Sequence, residues 1–388
     1  MMKAFWNVFY REIERIWSRP IYLVVVFLLP LICFLFWGTF MHSGLPLEIP
    51  VGVIDKDNTS LSRNMVRQIG ATQQCRFQDL YANFSEAREA MQRGEIYAFF
   101  EIPADFQRDV LTGKQPQIDF YYSSVFLIAG SLLNKDLSIM TSTLSAGVTL
   151  KMLTARGVEE QVAIAQIRPV SPEFFAIGNP WLNYSVYLVN VLLPGLLSLL
   201  VLLMTVYTVG VELKMSTGRK WLRAADNNML LALLAKGLPY TICFTVVFWA
   251  CDIMLYKVLN FPLHNSVGWM FLASFCLVIA SQALGVFMIE VFPVLRDGLS
   301  FASLFGVLSF SFAGLSFPVE AMLPMMRSWS YMFPVRHYFL IYQDIALFGF
   351  EPLSVLPRYA CFSMFLLLPL LLLPRLKKAL IYDRYPKK

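Results

Sequence analysis

Long apolar runs, nearly free of charged residues, alternate with polar segments along this chain. Six runs are long enough to be transmembrane helices, at residues 21–41, 185–210, 237–256, 258–289, 299–319 and 359–374. A helix needs about 20 apolar residues to cross the roughly 30 Å hydrocarbon core of a bilayer. The last run is the shortest, but Arg358 and Arg375 at its ends have long side chains that can reach the interface. The pattern therefore predicts six transmembrane helices.

A polar insert, residues 45–180, separates the first two runs and has a different pattern. Strands are predicted at residues 50–55, 74–77, 96–102 and 117–122. Helices are predicted from Thr59 or Ser60 to 69, from Ser85 to Gly94, from Pro103 to 111, and without a break from 124 to 166. Strands that alternate with helices predict a small, partly parallel sheet. Asp55, Asp57 and Asp105 are expected to be turn and cap residues rather than catalytic acids.

The distribution of charge sets the expected orientation in the membrane. Segments 1–19 and 212–229 each carry four basic and two acidic residues, and segment 375–388 carries six basic and one acidic. The insert carries 12 basic and 15 acidic residues. Because cytoplasmic loops are enriched in Lys and Arg, we expect both termini and the 212–229 loop in the cytoplasm and the insert outside. The predicted fold class is a polytopic α-helical membrane protein with six transmembrane helices and an inserted external α/β domain.

Composition supports this fold class. Apolar residues make up 57% of the 388 residues and charged residues only 15%, where about 25% charged is usual. These fractions exclude a disordered chain and a purely soluble enzyme. The net charge of +6 reflects the topology, and the basic tail (377–388) is expected to contact anionic lipid rather than nucleic acid. Cys75 is the single cysteine of the insert, so the insert cannot form a disulfide of its own.

Residues 1–19 have the pattern of an amphipathic helix that lies in the membrane interface. Apolar side chains recur every three or four residues, and the charged side chains are expected on the opposite face. The apolar stripe includes Phe5, Phe9, Ile13 and Trp17. Pro20 predicts a break before the first transmembrane segment (20–42), because the residue before a proline disfavours the helical conformation.

Motifs for catalysis or nucleotide binding do not occur in the sequence. Neither Gly113 nor Gly218 is followed by the Lys-Ser or Lys-Thr pair that completes a phosphate-binding loop. The three histidines are far apart, and there is no His-Glu-x-x-His or Gly-x-Ser-x-Gly pattern. Asp252 and Glu290 lie near the ends of predicted spans, where hydration at the interface is favoured over an ion site. The energy for any transport is therefore expected to come from another subunit.

Four local clusters occur in a fixed order along nearly the whole chain. They are Val53-Ile54-Asp55 with Ser60 and Ile102-Pro103-Ala104-Asp105-Phe106; Asn179-Pro180, Asn183-Tyr184 and Pro194-Gly195; Glu212, Gly218-Arg219-Lys220-Trp221-Leu222 and Lys236-Gly237-Leu238-Pro239; and Gly314-Leu315-Ser316-Phe317-Pro318, Phe333-Pro334 and Arg336-His337-Tyr338. In this order they resemble the membrane permease subunit of ATP-binding cassette type-2 exporters, in the branch with a large external domain between the first two spans. The usual Glu-x-x-x-Gly-Thr order after the second span is replaced here by Thr217-Gly218.

This resemblance implies a transport permease rather than an enzyme. Such a permease moves an apolar or amphipathic substrate out of the cytoplasm or the inner leaflet, and a separate ATPase subunit binds ATP and Mg, so the permease itself holds no cofactor or metal. The implied partners are ATP-binding cassette ATPase subunits, a second copy or a sister permease, membrane lipids and a periplasmic adaptor. The implied location is the bacterial inner membrane, with no nucleic-acid partner.

The resemblance also assigns roles to residues of the membrane region, 181–376. The residues expected to couple to the ATPase are Glu212, Gly218, Arg219, Trp221, Leu222 and Lys236, with the interfacial helix transmitting the movement. A proline-rich segment, 318–348, is expected to be re-entrant, and its candidate gate residues are Phe317, Pro318, Pro324, Pro334 and Arg336. The alternatives are an amphipathic cap at the outer interface for this segment, and a place in the headgroup belt for Trp221.

Two other classes of function compete with the exporter permease. A membrane-anchored sensor or scaffold would use the external domain to bind a ligand, but only short segments are expected in the cytoplasm to carry a signal. A secondary transporter would need an inverted repeat or a buried ion-binding acid, and neither is visible in the sequence. Copurification with an ATPase distinguishes the exporter permease from both alternatives.

Overall fold

The computed structural model divides the chain into two compact units. One unit, the membrane unit, comprises Met1–Gly44 and Phe175–Lys388, and the other, the insert unit, comprises Leu45–Phe174. The structure describes residues 2–40, 44–72, 74–167, 177–179, 183–315 and 317–382.

Helices make up the membrane unit, and the insert unit combines four strands with five helices in the described residues. In chain order the elements are α1 (Met2–Ser18), α2 (Pro20–Phe40), β1 (Ile49–Asp55), α3 (Ser60–Gly70), β2 (Cys75–Leu80), α4 (Phe84–Gln92), β3 (Ala98–Ile102), α5 (Phe106–Leu111), β4 (Asp119–Tyr122), α6 (Leu127–Ala155), α7 (Glu160–Ile167), α8 (Tyr184–Lys214), α9 (Gly218–Ala224), α10 (Met229–Val258), α11 (Val267–Val291), α12 (Leu295–Phe312), α13 (Pro324–Ser330), α14 (Pro334–Tyr342), α15 (Pro352–Ala360) and α16 (Ser363–Tyr382).

Five helical segments of the described chain are long and apolar enough to cross a membrane. They are α2, α8, α10, α11 and the stretch Pro352–Tyr382 formed by α15 and α16. The fifth predicted span corresponds to α12, which has 18 residues and carries Arg296 and Asp297 in its first turn. This helix is not among the five, so the count of six spans stays a prediction. The break predicted before the first span lies at Arg19, whose backbone is extended, and Pro20 occupies the first turn of α2.

Glycines allow close packing where α8, α11 and α12 meet. A Cβ atom added at Gly285 of α11 would lie 2.9 Å from Thr205 Cβ and 3.0 Å from the carbonyl oxygen of Leu202, both on α8. A Cβ atom at Gly306 of α12 would lie 2.3 Å from Leu199 Cδ1. Small residues at such crossings let helix backbones approach within van der Waals contact, which is the main attraction between helices in lipid. These glycines therefore set the spacing of the central helices.

The insert unit is built around a four-stranded sheet in the order β2-β1-β3-β4. Strand β1 pairs in parallel with β2 and β3, and β4 pairs antiparallel to β3, in agreement with the predicted partly parallel sheet. Side chains of successive residues point to opposite faces of a strand. Val53 and Phe100 accordingly pack in one apolar cluster with α3 and α6, whereas Ile54 and Phe99 pack in a second cluster with α4.

Two helix predictions in the insert unit differ from the structure. The helix expected to open at Pro103 begins instead at Phe106, because Asp105 has a left-handed backbone (φ 62°) and precedes the first helical turn. The long helix expected over 124–166 is interrupted between α6 and α7, where Gly157 has φ 86°. Glycine adopts this conformation without a steric penalty and commonly terminates helices.

Asp55 has the predicted role of a turn residue. Its Oδ1 atom accepts hydrogen bonds from the backbone N–H groups of Asp57 (3.1 Å) and Asn58 (3.0 Å). Its Oδ2 atom accepts one from the Ser62 hydroxyl at 2.7 Å. The carboxylate therefore holds the loop between β1 and α3, and Thr59 caps α3 as predicted.

Candidate functional site: a buried charge cluster

Helix α1 presents a continuous inward face to the rest of the membrane unit. Its buried residues are four apart and are Ala4, Val8, Glu12 and Ile16. The predicted apolar stripe is displaced from this face: Phe5, Phe9 and Ile13 are half-buried, and Trp17 is exposed. The expectation that the charged side chains lie opposite the buried face is wrong for Glu12. Hydrophobic periodicity alone cannot detect a partner charge on another helix.

Glu12 lies in a cluster with charged residues from two other helices. Lys236 Nζ of α10 is 2.8 Å from Glu12 Oε1 and 3.1 Å from Glu212 Oε1 of α8. All three side chains are buried, each with at most 2% of its surface exposed. The remaining oxygens are also bonded, because Tyr240 donates to Glu12 Oε2 and the Thr217 hydroxyl donates to Glu212 Oε2.

Two arginines of α1 complete what we call the charge cluster: Arg11, Glu12, Arg15, Glu212 and Lys236. Arg11 Nη2 is 2.8 Å from Oε1 of both glutamates. Arg15 Nη1 is 2.8 Å from Glu212 Oε1 and 3.2 Å from Glu12 Oε1. Three cations thus surround two carboxylates, and α1, α8 and α10 each contribute at least one charge.

The protonation of Glu12 follows from this arrangement. Burial by itself would raise the pKa of Glu12, but the nearby charges of Lys236, Arg15 and Arg11 hold the pKa below its usual range. For Arg15, burial would lower the pKa, and the two glutamates raise it above its usual range. Both groups are therefore charged at neutral pH. Buried charges are tolerated only when they are paired and hydrogen-bonded, so the cluster favours one specific arrangement of the three helices.

The predicted coupling residues on α9 are mostly buried inside the chain. Trp221 is fully buried, its ring lies 5.0 Å below Lys236 Nζ, and Leu222 is buried beside it. Gly218 lies close against Leu380. A Cβ atom added at Gly218 would be only 2.6 Å from Leu380 Cδ2. Trp221 therefore has no exposed surface with which to dock on a partner or to lie among lipid headgroups, and the coupling role of these residues stays a prediction.

Arg219 is the one predicted coupling residue that is exposed. Its Nε atom donates a hydrogen bond to the carbonyl oxygen of Ile381 at 2.7 Å, at the end of α16. Lys214, Lys220 and Arg223 are exposed on the same short segment. These four basic side chains form what we call the basic surface, which lies on the segment that follows Glu212 and contains Trp221.

The sequence patterns did not single out Arg11, Glu12 and Arg15 as members of the charge cluster, or Tyr240 as a hydrogen-bond partner of Glu12. A signal for Glu12 was present, because it shares a four-residue spacing with Ala4, Val8 and Ile16. A charged residue on an otherwise apolar face indicates a buried partner.

The candidate gate residues differ in burial. Pro334 and Arg336 are buried in α14, where Arg336 Nη1 donates to the carbonyl oxygen of Ala313 at 2.9 Å. Phe317, Pro318 and Pro324 are exposed. Exposed apolar residues continue along this part of the segment at Leu323, Met325 and Trp329. The segment therefore has an anchored half at α14 and an exposed apolar half at α13.

The two acidic residues near span ends are buried, so the prediction of interfacial hydration is wrong for both. Asp252 is 1% exposed and accepts a hydrogen bond from the Ser274 hydroxyl at 2.7 Å. Glu290 is fully buried, and neither of its carboxyl oxygens has a hydrogen-bond partner among the described residues. Helix packing, rather than position along the span, decides their exposure.

Comparison with known proteins agrees with this architecture. The model of the ABC-2 family transporter proteins matches residues 20–373, which is most of the chain. The chain belongs to the ABC-2 transporter family. It is also similar to the linearmycin resistance permease protein LnrN of Bacillus subtilis (strain 168), with 28% identity over 113 residues. That match covers 28% of this chain and 28% of LnrN.

Membership of the ABC-2 family, together with the five candidate spans, identifies a multi-pass membrane protein of a transporter family. In this ABC-2 permease, the charge cluster and the basic surface adjoin each other at one end of the membrane unit, where α9 connects α8 to α10.

Proposed function

We propose that this ABC-2 permease is the membrane subunit of an exporter driven by a separate ATPase. The observation that carries the proposal is the charge cluster, which joins α1, α8 and α10 beside the basic surface. The ATPase would contact the basic surface from the cytoplasm and would itself bind ATP and Mg.

Coupling then works through the cluster rather than through Trp221 directly. Movement of α9 acts on Thr217, whose hydroxyl is bonded to Glu212. Glu212 shares Lys236, Arg11 and Arg15 with Glu12, so a shift of α9 reaches α1 and α10 together. A packed charge network transmits such a shift because its members cannot separate without a large electrostatic cost.

The proposed cargo is an apolar or amphipathic molecule that leaves the cytoplasm or the inner leaflet. Export agrees with the name of LnrN, a linearmycin resistance permease protein. The proposed location is the bacterial inner membrane with both termini in the cytoplasm, which places the insert unit outside, where it can meet a periplasmic adaptor.

The proposed transporter contains two permease subunits, as a homodimer or with a sister permease. In each permease the segment 318–348 would act as a gate or as an amphipathic cap at the outer interface. The buried Arg336 supports an anchored hinge on the α14 side. The exposed Leu323, Met325 and Trp329 support contact of the α13 side with lipid or cargo.

Copurification tests the proposal. The tagged permease, purified from the cells that natively produce it, should retain an ATPase subunit with a Walker A loop. The double variant Arg219→Glu/Lys220→Glu reverses two charges of the basic surface and should lose most of this ATPase. Lys114→Glu, which changes one exposed residue of the insert unit, is the control and should retain it. A wild-type protein that retains no ATPase would instead support a sensor, scaffold or secondary transporter.

A further inference from the structure

An apolar groove lies between α10, α11 and α16, which belong to three candidate spans of the membrane unit. It has a volume of about 680 Å³. Its walls are almost entirely apolar and include Leu234, Ile242, Trp249, Ile279, Leu370 and Leu373. This volume is within the range of about 300–1,000 Å³ that is usual for small-ligand sites.

The polar groups that line the groove are largely satisfied within the protein. The Thr241 hydroxyl donates to Gln282 Oε1 at 2.7 Å, and the Thr205 hydroxyl donates to the carbonyl oxygen of Val201 at 2.7 Å. Among the described residues, the Thr245 hydroxyl is the lining group without a partner. The groove contains no charged residue, so hydrocarbon is the chemistry that fits it.

A polar pocket adjoins the groove near the start of α10. This head pocket has a volume of about 450 Å³ and is lined by Asp226, Asn227, Asn228, Met229, Leu373, Pro374 and Lys377. Leu373 lines both cavities, so the groove and the head pocket are adjacent. Lys377 Nζ donates to the carbonyl oxygen of Asn227 at 2.8 Å. An ammonium group has three hydrogens, so it can donate to a phosphate as well.

We propose that the apolar groove and the head pocket together bind one phospholipid. Its acyl chain would lie in the groove and its phosphate would contact Lys377. Basic pockets at the ends of transmembrane helices are a recognised way to bind phospholipid headgroups. Phosphatidylethanolamine, which carries one phosphate and two acyl chains, is a suitable probe of both parts of this site.

The acyl-chain part of the site can be tested by filling the groove. Gly237 lines it, and a Cβ atom there would meet nothing within 4 Å, so Gly237→Leu adds bulk without a clash. Gly38 of α2 is equally open and lies outside the groove, so Gly38→Leu is the matched control. Delipidated protein in detergent is titrated with phosphatidylethanolamine, and bound lipid is counted by mass spectrometry. Gly237→Leu should bind about tenfold more weakly, because several methylenes lose their contacts. Equal binding by wild type and Gly237→Leu would overturn the proposal.

The headgroup part of the site has its own pair of variants. Wild type should prefer phosphatidylethanolamine over diacylglycerol with the same acyl chains, because diacylglycerol has no phosphate. Lys377→Gln should lose this preference. Lys378→Gln should keep it, because Lys378 is exposed and does not line the head pocket. A preference that survives in Lys377→Gln would contradict the proposed phosphate contact.

Trp249 lines the groove, so its fluorescence gives a readout in the wild-type protein. Phosphatidylethanolamine with brominated acyl chains, added in equimolar amount to wild type in detergent, should quench the emission of Trp249. The loss of emission should be much smaller in Trp249→Phe. Equal quenching in the two proteins would exclude an acyl chain beside Trp249. All three readouts measure lipid binding alone, so a negative result leaves copurification of the ATPase as a separate test of export.

Discussion

Lys236 Nζ lies 2.8 Å from Glu12 Oε1, although 224 residues separate the two in the chain. This contact joins the first helix of the protein to the middle of its membrane unit. Both side chains are buried, so the position of α1 on α10 is specified by charge as well as by apolar packing. Removal of either partner would leave the other buried charge without this counter-charge.

Lys236→Met should destabilise the membrane unit by about 3–5 kcal/mol, because the two carboxylates lose a buried cation. Thermal unfolding of the detergent-purified protein measures the loss. Arg296→Met is the control. The ion pair of Arg296 with Asp297 is exposed, and exposed ion pairs contribute about 0–1 kcal/mol to stability. Glu12→Gln in the Lys236→Met background should recover part of the loss. Additive effects of the two changes would contradict direct coupling of the residues.

Trp221→Ala should act mainly on stability rather than on a partner interface. The ring is fully buried, and removal of a buried aromatic side chain costs about 3–5 kcal/mol. Arg219→Ala should leave the unfolding temperature nearly unchanged but reduce the amount of bound ATPase. The two variants are compared by thermal unfolding and by copurification. A stable Trp221→Ala protein that has lost the ATPase would restore Trp221 as a docking residue.

Gly285→Ala should destabilise the packing of α11 on α8 by about 1–3 kcal/mol, because the new methyl group would overlap Thr205 Cβ and the Leu202 carbonyl. Gly237→Ala is the matched control, since its methyl group meets nothing within 4 Å. That control should be neutral or stabilising by roughly 0.5–1 kcal/mol, because alanine favours the helix more than glycine does. Equal unfolding temperatures for the two variants would show that this crossing is not tightly packed.

The stability of the folded protein should depend on pH in the acid range, because Glu12 becomes protonated there. The pKa of Glu12 is lower in the folded protein than its usual value, so ionised Glu12 stabilises the folded state. This contribution is complete above the unfolded-state pKa of about 4.3 and is lost as the pH falls below it. Glu12→Gln should therefore flatten the acid limb of a plot of unfolding temperature against pH. Glu14→Gln, at an exposed position of the same helix, should leave the acid limb unchanged.

The location of the insert unit can be tested by labelling a single introduced cysteine. Lys114 is exposed, so Lys114→Cys should react with a membrane-impermeant maleimide added outside intact spheroplasts. The native Cys75 is buried and should contribute little background, and the exposed Cys361 is changed to Ser beforehand. Labelling that requires opening of the inner membrane would place the insert unit in the cytoplasm and overturn the proposed topology.

Local sequence patterns were sufficient for the strands and for most of the candidate spans of this fold. The length and apolarity of a span are properties of consecutive residues, so α2, α8, α10 and α11 were recognisable without any partner. The same holds for the strands of the insert unit, where β-branched and aromatic runs end at turn residues such as Asp55. The helix break at Gly157 was missed because a single glycine within a helical pattern is only a weak signal.

Contacts between distant residues decided the functional site. Charged and aromatic residues near membrane spans are usually exposed to water or headgroups, and by that rule Glu12, Lys236 and Trp221 belonged at the surface. In the structure they are buried because α1, α8, α9 and α10 bring opposite charges together, and burial of one charge is favourable only when its partners are already in place. The sequence by itself therefore determined most of the helices, strands and candidate spans. Only the tertiary structure decided which charged side chains are internal, because that depends on pairings over some 200 residues of chain.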